Sequence, residues 1–482
     1  MKPLKLSFVS SILLFSALCA WSDEQLKIAP VFSGYASFEE SEIVKGYLNM
    51  QFSNYAGPVL TPLWMENAKM GLCANTDVGE HLQIIAAFEG KLGFSLTTDY
   101  NPQTNYSAAQ QEHWDFTIQR GEGLYSFGDA QNPFLQIEAG YFPYKYNPDV
   151  RNLGEYLFRS FSYPAALLNT FDRPYADLLG LRIGNAIPLS VGSFHHDLLF
   201  TSETKHYPLK DFSLSYVTNY SIPGIFSVGA GGSLYRLLPV FLNDSGTVKT
   251  SVNQYVDTTT GDTGHYTFSG IKLMARVSFD VKGIIPMDFL GKEDLKLYGE
   301  LAILGLKNYP GFYDNLSERM PVMLGFNWFS NPLLSYPVAG IGALLFQKKI
   351  NGASFLEAGT GIMSGVGLWL LEKYTGIKTG FDILSLELEY QGTRNPNGIT
   401  KTYYQPYCPL PDDPIAGNPR TMLKWSLYAN KKIGSHLSII GQIANDHLMP
   451  DNYTTLPAYQ PLTDVTLRAN DWWWVVKALF YY

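Results

Sequence analysis

Histidine and carboxylate clusters are the residues from which a catalytic or metal site in this chain would be built. His195, His196 and Asp197 are consecutive, but neighbouring side chains on a strand point to opposite faces, so the two imidazoles cannot bind one metal ion. The sequence also lacks a G-x-S-x-G nucleophile motif, a P-loop and paired-cysteine metal spacing. We therefore predict no catalytic residues, no metal and no cofactor, although a triad assembled in space would leave no such motif.

Charged residues at alternate positions are the larger set of functional candidates. In segments 271–280 and 384–391, apolar and polar residues alternate, which on a strand places the two classes on opposite faces. We predict that the polar faces line a water-filled interior. The charged residues assigned to it are Glu89, Lys91, Glu138, Arg182, Lys272, Arg276, Asp280, Lys296, Glu300, Glu387, Glu389, Lys424 and Lys477. Cations and anions nearly balance, so they either pair across neighbouring strands or form an opposed-charge constriction that orients polar solutes.

A third set of candidates lies in the long loop at residues 143–175. The candidates for a constriction are Asp149, Arg151, Glu155 and Arg159. Pro148 is typical of a first helical turn, and the last three candidates are four residues apart, which places them on one face of a helix. Two interpretations stay open. The helix either caps the fold at its surface, or belongs to a loop that folds into the interior and narrows it.

The composition indicates sheets with one polar face. Of 482 residues, 16% are charged and 15% are aromatic, and the net charge is −8. The low charge content excludes a highly charged disordered chain, and the chain lacks the repeated apolar stretches of about 20 residues of a helical membrane protein. A net negative charge also argues against nucleic acid as a partner.

The N-terminus has the three-part layout of a secretory signal peptide. A cationic start is followed by an apolar run, residues 6–20, and a small-x-small site that ends at Ser22. We predict removal of residues 1–22, with cleavage after Ala20 as the alternative, because the run is too short to serve comfortably as a membrane anchor. Export permits a disulfide between Cys73 and Cys408, which their distance in sequence leaves open.

The alternating segments are too long for ordinary soluble strands. The segment 82–96 and several others reach ten residues or more, whereas soluble strands usually have about 5–6 and a tilted strand that crosses a bilayer needs about 9–11. The long loops fall on one side of the resulting meander and the tight turns on the other, as in outer-membrane barrels. With no internal repeat, this favours a membrane barrel over an exported β-sandwich, propeller or β-helix.

The last strand carries a family resemblance. The residues on its apolar face are Trp472, Trp474, Val476, Ala478, Phe480 and Tyr482. This pattern resembles the closing strand of Gram-negative outer-membrane β-barrels, and the segment 140–159 is similar to part of an uncharacterised subgroup of porin-like proteins. The resemblance implies that Phe480 and Tyr482 form the signal read by the barrel-assembly machinery. It implies no particular substrate.

The predicted fold is all-β, a transmembrane antiparallel up-and-down barrel that occupies residues 42–482. We count about 18 strands, with 16 as the alternative, long extracellular loops and short periplasmic turns. The count includes crossings at 338–346 and 355–370. Residues 23–41 are assigned to a short periplasmic segment, which is too short for a plug domain. Barrels of 16–18 strands leave an aqueous channel.

The predicted function is a porin-like channel of the bacterial outer membrane for passive diffusion of small hydrophilic solutes, with weak selectivity at most. Its expected partners are outer-membrane lipid, the assembly machinery and the solutes, and the class is compatible with a homo-oligomer. Trp473 has inward parity, so a sugar-guiding aromatic in the lumen is a further interpretation. The rival functions are a structural or adhesive barrel with a blocked lumen, and a barrel-borne hydrolase.

Overall fold

A computed structural model of the chain contains a closed antiparallel barrel of sixteen strands. The described residues are 28–46, 48–49, 58–59, 63–97, 111–129, 133–159, 176–202, 211–238, 252–256, 263–267, 270–285, 290–306, 316–332, 335, 366–375, 378–390, 397–400, 408–411, 422–446 and 469–482. The predicted signal peptide, residues 1–22, lies outside them. The strand number matches the alternative count of 16 and confirms the all-β barrel class.

The strands follow one another around the barrel in chain order, and the first pairs with the last. They are β1 (Ile28–Lys45), β2 (Leu63–Val78), β3 (Leu82–Thr97), β4 (Gln111–Gly128), β5 (Pro133–Tyr144), β6 (Ala176–Pro188), β7 (Ser193–Ser202), β8 (Phe212–Ile222), β9 (Phe226–Leu238), β10 (Gly270–Asp280), β11 (Lys296–Ile303), β12 (Val322–Asn327), β13 (Ile383–Tyr390), β14 (Leu423–Ile433), β15 (Leu437–Ala444) and β16 (Trp472–Tyr481). Because the sheet closes on itself, it leaves no unpaired edge.

Short elements lie in the connections. Three two-stranded hairpins pair Leu48–Asn49 with Pro58–Val59, Val252–Val256 with Thr263–Thr267, and Asn397–Thr400 with Cys408–Pro411. Helical turns occupy Tyr156–Arg159 (α1), Val281–Gly283 and Leu316–Arg319, and residues 366–375 are also helical. None of the helices in the described residues is both long and apolar enough to span a membrane.

Side chains alternate between an apolar outer face and a polar inner face. In β10, Leu273 and Val277 are exposed on the outside, whereas Lys272 and Arg276 are buried on the inside. The same alternation recurs in β13, where Leu386 and Leu388 are exposed and Glu387 and Glu389 are buried. This is the reverse of a soluble sheet packed on a core, and it follows from the two-residue period of a strand.

The outward position of Ala275 gives a test of this assignment. Ala275→Arg places a cation on the apolar outer face near mid-strand and should cost ~2–4 kcal/mol of stability in a bilayer. Gln136→Arg, at a half-buried inward position on β5, should cost less. Urea unfolding of the two variants from lipid vesicles measures both costs, and equal costs would show that the faces are assigned wrongly.

The first barrel strand begins earlier than predicted. β1 starts at Ile28 and pairs with β2 from Ile28 to Ile43, so most of residues 23–41 belong to the barrel wall. The sequence hides this strand because its outward positions include small residues, Gly34 and Ala36. A strand whose outer face is small shows little hydrophobic alternation.

The predicted count of 18 fails between β12 and β13. These strands are hydrogen-bonded neighbours, with Asn327 opposite Ser385, so no crossing lies between them. The predicted crossing 338–346 lies outside the described residues, and the predicted crossing 355–370 overlaps the helical residues 366–375. The run Leu-Trp-Leu-Leu-Glu-Lys there consists mostly of strong helix formers.

The same connection departs from the predicted loop asymmetry. We call the barrel end with the short connections 79–81, 223–225 and 434–436 the turn end, and the opposite end the loop end. Residues 328–382 connect β12 to β13 at the turn end. A long connection therefore lies on the side where the sequence predicts only short turns.

Candidate functional site

A segment of the chain is folded into the barrel interior. We call residues 145–159, which follow β5, the inner segment. Its side chains and backbone contact strands β10, β11, β13 and β14 across the lumen. Most of its residues are buried, among them Tyr146, Leu153 and Tyr156. Of the predicted loop 143–175, which the sequence leaves open as a surface cap or a lumen loop, the described part up to residue 159 thus lies inside the barrel.

One carboxylate of the wall, Glu387, binds three consecutive amides of the inner segment. The backbone N–H groups of Arg151, Asn152 and Leu153 donate to its oxygens at 2.5, 2.8 and 2.9 Å. The hydroxyl of Tyr298 donates to the same carboxylate at 2.9 Å. Hydrogen bonds to a charged acceptor are stronger than neutral ones, so Glu387 fixes this part of the segment.

A second wall carboxylate, Glu300, binds residues of the inner segment on both sides of 151–153. It accepts hydrogen bonds from the Tyr146 hydroxyl at 2.5 Å, the Asn147 amide Nδ2 at 2.9 Å, and the backbone N–H groups of Glu155 and Tyr156 at 3.0 Å each. Burial and the negative charge of Glu300 raise the pKa of Tyr146 well above its usual value, which keeps its hydroxyl a donor to that carboxylate.

Glu387 and Glu300 are the two anchors of the inner segment, and apolar packing adds to their hydrogen bonds. Val150, Leu153 and Leu157 of the inner segment are nearly fully buried, and they belong to one cluster with wall residues. The wall members include Leu199, Val217, Met274 and Met323. Burial of a Val or Leu side chain contributes about 1.5–3 kcal/mol, so packing and hydrogen bonds hold the segment together.

The backbone of the inner segment differs from the predicted helix. Only Tyr156–Arg159 is helical, and both Gly154 and Glu155 have positive φ, 87° and 62°. The positive φ of Gly154 favours glycine, and a Cβ there would also crowd Met323 Cε at 2.9 Å and Glu300 Oε2 at 3.1 Å. A left-handed conformation at Glu155 costs roughly 1–2 kcal/mol. Tertiary hydrogen bonds at its backbone and side chain offset that cost.

The polar tip of the inner segment carries ion pairs to the wall near the turn end. Lys296 lies 3.1 Å from Asp149 and 2.9 Å from Glu293. Arg151 lies 3.5 Å from Glu293. Glu155 accepts a hydrogen bond from the backbone N–H of Asn147 rather than pairing with Arg151 along a helix. The side chain of Arg159, the fourth predicted constriction residue, lies outside the described part of the chain.

A separate ionic network lies on strands β5, β6 and β7. Arg182 Nη1 lies 2.7 Å from Glu138 and its Nε lies 2.8 Å from Asp197. Asp197 also accepts a hydrogen bond from Tyr144 at 2.9 Å, and His195 Nε2 is 3.2 Å away. His196 points to the outer face, where its ring contacts Tyr216. The two histidines therefore lie on opposite faces, as the strand period requires.

The remaining charged candidates also have inward parity, but each has its own surroundings. Tyr35 donates to Glu89, Tyr156 donates to Glu389 at 2.7 Å, and the ammonium of Lys272 lies 5.0 Å from the ring centroid of Tyr235. Asp280 accepts from the backbone N–H of Lys282 at the turn end. The other members of this set are Lys91, Arg276, Lys424 and Lys477, of which Arg276 and Lys424 are buried and Lys91 and Lys477 half-buried.

Several charged interior residues are not in the lining set predicted from sequence. They are Glu39, Lys69, Glu122, Asp197 and Asp446. Glu39 lies on β1, ahead of residue 42, where the sequence predicts the barrel to begin. Asp446 lies beyond β15, where it accepts hydrogen bonds from Trp473 Nε1 at 3.0 Å and from Asn152 Nδ2 at 2.8 Å. Trp473 thus faces inward as predicted, but its indole N–H is used in this contact.

Other sequence predictions concern the ends of the chain and metal binding. Phe480 and Tyr482 lie at the turn end of β16, and both are about half exposed. Cys73 is a free cysteine, and the side chain of Cys408 lies outside the described residues. Within the described ranges, no group of three or more His, Cys, Asp or Glu side chains could hold a metal ion.

Comparisons with known proteins give no sequence relative. No protein-family model matches the chain, and no curated protein matches it. Similar solved structures include one described as "Asymmetric conductivity of engineered proteins", with 8% identity and a TM-score of 0.36. A triple mutant of Rhodopseudomonas blastica porin is 8% identical with a TM-score of 0.34. Each alignment covers 94% of this chain and 100% of the other. At such TM-scores, the barrel assignment depends on the strand pairing of this chain alone.

Proposed function

We propose that this chain is an outer-membrane, porin-like channel through which small hydrophilic solutes diffuse passively past the inner segment. The observation that carries the proposal is the closed sixteen-stranded barrel with an apolar outside and a polar inside. A closed barrel satisfies every strand hydrogen bond without water, which a bilayer requires. Barrels of this strand number leave an aqueous interior that side chains alone do not fill.

The proposed path runs between the inner segment and the facing wall. Because the segment is anchored on β11 and β13, roughly half a barrel away from it lie β3, β4 and β5. Their inward side chains include Glu89, Lys91, Glu122 and Glu138. Charges of both signs on this wall suit polar solutes in general, and the charged candidates predicted from sequence are proposed to contribute to the lining.

The cellular setting belongs to the same proposal. Residues 1–22 are proposed to direct export, and Phe480 and Tyr482 to be read by the assembly machinery. The turn end, where β1 begins and β16 ends, is proposed to face the periplasm. The inner segment starts from the loop end, at the close of β5, so it enters the lumen from the proposed extracellular side.

Liposome swelling with sugars of graded mass tests the proposal. Vesicles that contain the purified, refolded barrel should swell in small sugars, and the rate should fall as sugar mass rises because the inner segment narrows the passage. Single-channel steps in planar bilayers should accompany the swelling. A correctly inserted barrel that gives neither swelling nor steps would favour a structural or adhesive barrel with a blocked lumen. Ester or peptide hydrolysis by the detergent-solubilised protein would favour the hydrolase.

A further inference from the structure

A cavity of about 870 Å³ opens at the turn end of the barrel. Its walls come from the tip of the inner segment, the connection between β10 and β11, both ends of the long connection 328–382, and the end of β14. The volume lies within the ~300–1,000 Å³ range of small-ligand sites. Described residues near both ends of the β12–β13 connection thus contribute to its lining.

Cations outnumber anions around this cavity. The charged lining residues are the cations Arg151, Lys292, Lys296, Lys378, Lys431 and Lys432 and the anions Asp149, Glu293, Glu372 and Asp382. The whole chain, by contrast, has a net charge of −8. A cationic cavity with low-dielectric walls concentrates anions locally, even on an acidic protein.

Each of the four carboxylates already has donors within the protein. Asp149 and Glu293 are paired with Lys296, as described above. Glu372 accepts hydrogen bonds from the backbone N–H and the hydroxyl of Thr379, at 3.2 and 3.3 Å. Asp382 accepts from the backbone N–H of Lys432 at 2.5 Å. These carboxylates are therefore engaged with the fold.

Three of the four lysines that lie outside the Lys296 ion pairs have free ammonium groups among the residues that the structure describes. The exception is Lys431, which donates to the carbonyl of Gly380 at 2.5 Å. Within the described ranges, no carboxylate, carbonyl or aromatic ring is in contact with the ammonium groups of Lys292, Lys378 and Lys432. Lys292 lies in the connection between β10 and β11, Lys378 in the connection between β12 and β13, and Lys432 near the end of β14, so the fold brings them to one cavity from distant parts of the sequence.

From this arrangement we propose that the turn-end cavity binds a small solute with two or more negative charges, carried by phosphate or carboxylate groups. The three ammonium groups of Lys292, Lys378 and Lys432 supply the charge that the occupant needs. Ammonium groups on flexible stems suit phosphate as point charges without a fixed geometry. The three lysines take no part in the hydrogen bonds of Glu300 and Glu387 to the inner segment, and the proposed binding does not require the barrel to conduct.

Binding of inorganic phosphate to the detergent-solubilised barrel tests the site directly. Isothermal titration at pH 7.5, at low and constant ionic strength, should show saturable binding to the wild-type protein. The triple variant Lys292→Gln, Lys378→Gln, Lys432→Gln should bind phosphate at least about 10-fold more weakly, since three charge contacts are lost together. The three lysines are exposed, so the variant should fold, and circular dichroism with the gel shift of the folded barrel verifies this.

Lys373→Gln is the matched control. Lys373 follows the cavity residue Glu372 in the helical stretch 366–375 but does not line the cavity, and its ammonium lies over the ring of Trp369. This variant should bind phosphate as the wild type does. Equal phosphate affinity in the triple variant and the control, or phosphate binding no stronger than chloride binding, would overturn the proposal. Because the titration needs no conduction, a failure to conduct leaves this result interpretable.

Discussion

Glu300→Ala should release the backbone amides of Glu155 and Tyr156 to rapid hydrogen–deuterium exchange. In the wild type, these amides donate to Glu300 at 3.0 Å inside the barrel. Without the carboxylate they lose their acceptor, and the Tyr146 hydroxyl and the Asn147 amide lose theirs as well. A buried donor left without an acceptor costs about 1–3 kcal/mol, so the segment should open locally around these four groups.

Removal of the second anchor, Glu387, should speed hydrogen–deuterium exchange at a different set of amides. Glu387→Ala should expose the amides of Arg151, Asn152 and Leu153, which donate to Glu387, and affect those of Glu155 and Tyr156 less. Each carboxylate therefore has its own set of protected amides. Exchange read by mass spectrometry at peptide resolution distinguishes the two sets.

Two further variants control this experiment. Glu300→Gln keeps one acceptor oxygen in the same position, so its exchange should be intermediate between wild type and Glu300→Ala. Glu39→Ala removes a buried lumen carboxylate whose partner is Asn67 on β2, and it should leave the inner segment protected. Uniform exchange across residues 145–159 in every variant would contradict the anchoring roles of the two carboxylates.

The channel proposal gives these variants a functional readout. If the inner segment narrows the lumen, the double variant Glu300→Ala, Glu387→Ala should show larger and noisier single-channel currents than the wild type. Larger sugars should also enter liposomes faster. Unchanged currents together with exposed amides would mean that the segment moves without controlling the passage.

Sequence alternation predicted the wall of the barrel better than its contents. The inward parity of Lys272, Arg276, Glu300 and Glu387 follows from the strand period alone, and all four side chains are buried inside the barrel. Their partners could not be read from sequence. Glu387 is saturated largely by backbone N–H groups, which every residue except proline carries and which leave no sequence signature.

Local rules failed where tertiary contacts outweighed them. Pro148 and the four-residue spacing of Arg151 and Glu155 are typical of a helix, yet both charged residues bond elsewhere in the fold. The count of strands failed for a different reason. Whether β12 pairs with β13 is a matter of long-range pairing, and an apolar run such as 366–370 is compatible with either a strand or a helix.

Removal of Arg182 should strongly destabilise the barrel wall. Arg182 bridges Glu138 and Asp197, whose side chains are only 9% and 5% exposed. Arg182→Met keeps much of the side-chain volume but leaves two carboxylates in the interior without their cation. Breaking a buried ion pair from one side costs about 3–5 kcal/mol. The 19% exposure of the Arg182 side chain favours the lower end of that range, since water reaches the site.

Companion substitutions separate the ionic contribution from packing. Glu138→Gln and Asp197→Asn, introduced together with Arg182→Met, remove both uncompensated charges, so the triple variant should recover most of the stability lost in Arg182→Met. The Tyr144 hydroxyl can still donate to the amide carbonyl that Asp197→Asn introduces, which preserves the contact now made to Asp197 at 2.9 Å. Urea unfolding of all variants from lipid vesicles gives the free energies. A triple variant as unstable as Arg182→Met would mean that Arg182 stabilises the wall by packing, and that charge compensation in the lumen contributes little.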